Sequence, residues 1–68
     1  MKHVKIEYTD WRGERRERII RPLHNGISHT KNQFHPEPQW LLTAVDVEDG
    51  KVKTFAMSGI HSWANAYD

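Results

Sequence analysis

Cysteine is absent from this chain of 68 residues. Its absence excludes disulfides and thiolate metal centres, the usual staples of small secreted scaffolds, and makes a cytoplasmic setting the expectation. Long apolar runs are missing too: nothing approaches the ~20 residues that cross a bilayer, and the N-terminus has no signal-peptide pattern. No membrane partner is expected. There is no Gly-rich phosphate loop, internal repeat or low-complexity segment. Size sets a further limit. A single domain of about this length buries only about 60% of the surface it exposes unfolded. Without staples, a thin core can be supplemented by self-association, so a homo-oligomer is among the expected partners.

The most informative stretch present is Gln39–Val47, an apolar run headed by Trp40 and fenced by His35-Pro36-Glu37-Pro38 and Glu48-Asp49-Gly50. Its length and its Val, Leu and Trp content predict a central strand. Trp40, Leu42 and Ala44 share one side, and Leu41, Thr43, Val45 and Val47 the other, so both faces need cover. Trp40 is expected to lie largely buried.

Before it, Val4, Ile6 and Tyr8 alternate with Lys5, Glu7 and Thr9, the period of a half-buried strand over residues 2–9. Asp10-Trp11-Arg12-Gly13 predicts a hairpin turn with Trp11 exposed at its tip. A second strand is expected from Glu14 to Pro22, bent where Ile19 and Ile20 break the alternation. From Leu23 to Pro38 the periodicity fails, which predicts a long loop that Leu23, Ile27 and Phe34 tie to the core. After the central strand, Glu48–Lys51 predicts a tight turn, Lys51–Ala56 a fourth strand, Met57–Gly59 a single turn and Ile60–Asn65 a closing strand, with 66–68 frayed. The fold class is all-β, a small five-stranded SH3-like or Sm-like barrel with one long loop, forming one domain over residues 1–68.

Charge is uneven along the chain. Residues 1–31 hold eight Lys/Arg against four acids, and residues 32–68 two against five, within a net charge of +1. Such a split can attract phosphates or pair one half of the fold with the other. Arg15, Arg16, Arg18 and Arg21 form the densest group. Guanidinium matches phosphate oxygens bidentately, but on a strand Arg16 and Arg18 face one way and Arg15 and Arg21 the other. Glu14 and Glu17 offset part of the charge, and a solvated edge strand accounts for the cluster equally well.

Trp11, Trp63 and Tyr67 are candidate stacking platforms for bases, with Arg12 beside Trp11 as a cation. Aromatics in small barrels otherwise serve as core or interface anchors. His24, His29 and His35 with Glu37 have the ligand types for zinc, yet their spacing matches no motif of preset geometry, so no metal is expected. Ser28, Ser58 and Ser62 lack the elbow that exposes a nucleophile, and nothing aligns Ser58 with His61. The chain is expected to be neither an enzyme nor a cofactor carrier.

Four segments, taken in order, carry a family resemblance. Val4-x-Ile-x-Tyr8, Arg18-Ile-Ile-Arg21-Pro22-Leu23, Trp40-Leu41-Leu42-x-Ala44-x-Asp46 and Thr54-Phe55-Ala56-Met57-x-x-Ile60 resemble a WYL domain over residues 4–61. The segment His35–Leu42 also looks like one shared by a group of short bacterial proteins. WYL domains are Sm-like barrels, found mostly as regulatory parts of bacterial transcription factors and of phage-defence proteins, with a basic pocket for nucleic acid or nucleotide-like ligands. The resemblance implies a stand-alone regulatory or defence-related module, with Arg18 and Arg21 as ligand contacts. It departs at Ala56 and Gly59, where the family tends to carry arginine. Together the residues and the resemblance predict a non-catalytic module for single-stranded nucleic acid or a nucleotide, using Arg18, Arg21, Arg16, Trp11 and Arg12. The alternative is a protein-interaction or self-assembling barrel with no nucleic-acid ligand.

Overall fold

A computed structural model of the chain describes residues 3–31 and 36–66. Five strands, β1 (Val4–Thr9), β2 (Arg15–Thr30), β3 (Gln39–Asp46), β4 (Lys51–Ala56) and β5 (Ile60–Asn65), form one antiparallel sheet in the order β4-β3-β2-β1-β5. A 3₁₀ turn, Met57–Gly59, links the last two. The turns follow their residues. Gly13 and Gly50 take the positive φ that closes each hairpin. Asp10 also accepts hydrogen bonds from the Arg12 and Glu14 N–H groups.

Residues directly opposite across a ladder share a face, so the register defines the inner side. Val4, Ile6 and Tyr8 of β1, Ile20 of β2, Leu42 and Ala44 of β3 and Phe55 of β4 form the core there. The sheet is curled. Strands β1 and β4 stand three places apart, about 14 Å in a flat sheet. Even so, the Tyr8 and Phe55 rings meet edge to face at 5.0 Å, and the Ala56 N–H donates to the Tyr8 hydroxyl at 2.9 Å. Burial pushes the Tyr8 hydroxyl pKa up. The curl stops short of closure: among the described residues no ladder joins β4 to β5, and the sheet keeps two edges.

The expected long loop is half strand. β2 runs on to Thr30, pairing Ile27, Ser28, His29 and Thr30 with Leu42, Leu41, Trp40 and Gln39. Between Pro22↔Ala44 and Ile27↔Leu42, residues 23–26 stand against Thr43 alone, an enlarged bulge that bends the strand. Asn25 adopts φ 60° there. A side chain on Gly26 would place its Cβ 2.4 Å from the Thr43 carbonyl oxygen, so only glycine lets the two backbones approach. Ile27 is exposed rather than tucked into the core, Leu23 is half-buried, and Phe34 lies outside the described residues.

One further expectation changes, and one burial had no forewarning. Trp40 is 58% exposed, because it sits on the inner face beyond the reach of the strands that cover Leu42. Asp46, at the other end of β3, is buried with 2% of its surface accessible.

Candidate functional site

The charged end of the sheet is built around Asp46. Its carboxylate accepts from Arg18 of β2 and Lys53 of β4, both at 3.0 Å, and from the Glu48 N–H at 3.1 Å. Burial alone would raise its pKa, but the Lys53 bond, the Glu48 N–H and Arg18 outweigh that and hold it below the usual carboxylate range. Lys53 also bonds Asp49 at 2.8 Å, which holds the Asp49 carboxyl low and raises the Lys53 ammonium.

The expected arginine patch is therefore largely spoken for. Arg18 lies on the inner face against Asp46, with its Nε buried and unpartnered. Arg16 reaches Glu48 at 3.4 Å, Arg15 pairs with Glu7, and Lys5 lies 3.9 Å from Glu17. Arg12 bridges Asp10 and Glu14 at 3.2 and 3.5 Å. Arg21 sits opposite Val45, on the other face from Arg18. It makes no ion pair among the described residues, but it cannot share a pocket wall with Arg18. Trp11 and Arg12 do come together: Trp11 is 63% exposed at the hairpin tip and the Arg12 guanidinium lies 5.9 Å from its ring centroid.

The other end is apolar and open. Pro22, Leu23 and Ile27 of β2, Leu42 of β3 and Trp63 of β5 line a groove of about 410 Å³, with Asn25 and Gly26 at its bend. Much of it is open to solvent, and its lining is more apolar than polar. Ile27 and the 52%-exposed Trp63 line it, and Trp40, outside the groove, is exposed opposite His29 further along β3. The His29 ring meets Trp40 edge to face at 5.1 Å. Residue-by-residue reading missed this groove, although Asn25-Gly26, a hairpin-type signal between two apolar stretches, marks the bend that creates it.

Among the described residues no three metal-ligating side chains gather, and His35 lies outside them. Tyr67 lies outside as well. His61 Nε2 is 2.8 Å from the Thr9 hydroxyl. No helix among the described residues is long and apolar enough to cross a membrane.

Compared with known proteins, the chain matches no family model, no curated protein and no solved structure.

Proposed function

We propose that this chain is a small non-catalytic interaction module that holds a segment of another protein in the groove between the β2 bend and Trp63. One observation carries the reading: Ile27 and Trp63 stand exposed along an apolar groove, whereas Arg12, Arg16 and Arg18 already pair with carboxylates of their own chain. Contiguous exposed apolar surface marks binding surfaces. Drawing Arg18 away to a phosphate would leave the buried Asp46 carboxylate short of a partner, whereas the exposed Arg12 and Arg16 pairs cost little to open.

The same proposal takes the fold as an SH3-like barrel left open between β4 and β5. The order of strands and turns, the bent β2 and the Tyr8 to Ala56 bond across the interior support it. The WYL resemblance then extends to the fold and not to a basic pocket. Ala56 is buried, and a Cβ on Gly59 would lie 2.5 Å from the Thr9 carbonyl oxygen, so neither position has room for an arginine.

A nucleic-acid reading keeps two footholds, the exposed Trp11 with Arg12 beside it and Arg21, which makes no ion pair among the described residues. Selection from a random peptide library, followed by NMR mapping, separates the two. The interaction reading expects enriched peptides that shift Ile27, Trp40 and Trp63 signals, lose binding on Ile27→Glu and respond little to salt. It fails if no peptide enriches over Ile27→Glu. Binding of single-stranded oligonucleotides that shifts Trp11 and falls steeply with salt would install the other reading.

A further inference from the structure

The two edges of the sheet are built differently. The β4 edge, Lys-Val-Lys-Thr-Phe-Ala, carries Lys51 in solvent and Lys53 turned inward onto Asp46 and Asp49. Edge lysines and inward charges are devices that prevent a sheet from pairing with its neighbour. The β5 edge, Ile-His-Ser-Trp-Ala-Asn, has no charge and no proline. Its one irregularity falls between Ser62 and Ile60, opposite Glu7 and Tyr8, leaving the rest of the strand regular.

The backbone phase of β5 follows from one bond. The Ala66 N–H donates to the His3 carbonyl at 3.0 Å, and the ladder continues as Asn65↔Val4, Ala64↔Lys5, Trp63↔Ile6 and Ser62↔Glu7. Backbone groups in an antiparallel ladder alternate between the two sides of a strand. Ser62, Ala64 and Ala66 therefore turn their N–H and C=O groups to β1. Trp63 and Asn65 turn theirs outward, where no described strand meets them.

We propose that this edge joins a second copy of the chain, β5 against β5, antiparallel about a two-fold axis at Ala64. Trp63 of each copy then faces Asn65 of the other and exchanges both backbone hydrogen bonds with it. The pairing uses only the regular part of the strand. Three features fit a second copy. An uncharged strand meets itself without like-charge repulsion, whereas β4 against β4 would oppose lysines. Ser62 and Ala64 are small and exposed on the outer face, so nothing bulky obstructs approach there. The two Trp63 rings become diagonal neighbours on the inner face, about 7–8 Å apart at their Cα atoms and within reach of each other. The joined sheet has ten strands and only the lysine-guarded β4 strands as edges. The proposal does not depend on the groove having a peptide ligand.

Opposite charges at the axis test it. Sedimentation equilibrium of the wild type is expected to show a monomer–dimer equilibrium. Ala64→Lys and Ala64→Glu are each expected to be monomeric where the wild type is dimeric, with unchanged circular dichroism. Mixing the two variants in equal amounts is expected to restore a dimer, which misfolding cannot explain. A wild type that stays monomeric up to about 1 mM, where even weak association shows, would overturn the proposal. So would single variants that dimerise as well as the wild type. Open-ended growth into larger assemblies would point instead to β4 joining β5 and would also overturn it.

Discussion

The two ends of the sheet invert the roles that residue type suggests. At the hairpin end, cations that look made for a ligand are taken up by the fold where a buried carboxylate meets them: Arg18 and Lys53 close on Asp46, while Arg16 with Glu48 and Arg12 with Asp10 pair at the surface. At the bend end, apolar groups that look made for the core stand in solvent, with Ile27 and Trp63 along an open groove and Trp40 exposed near the end of β3. Where a charge finds a buried partner it becomes structure, and where an apolar face outruns its covering strands it becomes surface. Burial, not chemistry alone, assigns the role.

The sharpest way to break the contrast is at its charged end. Asp46→Ala leaves the part-buried Arg18 without its carboxylate while Lys53 keeps Asp49, and removing one partner of a buried pair costs about 3–5 kcal/mol. The measurement is the urea midpoint, and a loss below about 1 kcal/mol, the scale of an exposed pair, would deny Asp46 its organising place. The same carboxylate predicts an acid response. Its folded pKa is depressed, so its contribution is complete above the unfolded carboxyl value and fades as pH falls through the lower folded one. Stability of the wild type should therefore decline on acidification below about pH 4. Asp46→Asn, already weakened at neutral pH, should lack that part of the decline.

Next in size is the bend. Gly26→Ala drives a methyl group into the Thr43 carbonyl, and overpacking of this kind costs about 1–3 kcal/mol. Because the bend shapes the groove, the shift should appear in NMR signals of Trp63 and Ile27 as well as in thermal melting. A variant as stable as the wild type would show that the β2 and β3 backbones separate freely. The smallest effect is expected at the open end. Trp40→Ser should leave stability within about 0.5 kcal/mol, as surface changes do. A larger loss in denaturant would return Trp40 to the core and weaken the comparison.

How far each feature could be read from the chain depends on the distance over which its cause acts. β1, β4, β5 and both tight turns follow from local alternation and from glycines at the hairpins, and their boundaries match the expectation closely. The exposure of Trp11 follows from its place at a turn tip. The second half of β2 escaped because residues 23–26 against Thr43 erase the period of two at the point where it would have shown the strand continuing. The exposure of Trp40 and the burial of Asp46 escaped for one shared reason. Both lie on the inner face of β3 with Leu42 and Ala44, and only the neighbouring strands decide which positions on that face are covered. The Arg18 to Asp46 pair joins residues 28 apart in the chain, and nothing local announces it. Of the ligand residues expected, the sequence showed their type and their alternation, but not the carboxylates that meet Arg12, Arg16 and Arg18.

The bond between the Ala66 N–H and the His3 carbonyl has a practical corollary. The beginning and end of the described chain lie side by side, so a linker of a few residues could splice them without crossing the sheet. The closed chain could then be cut at the solvent-facing turn Glu48–Gly50, giving a permuted protein in which β4 comes first and β3 last. Exposed turns of this kind are where such rearrangements succeed. The order in which the strands are synthesised would change while every ladder in the sheet stayed the same.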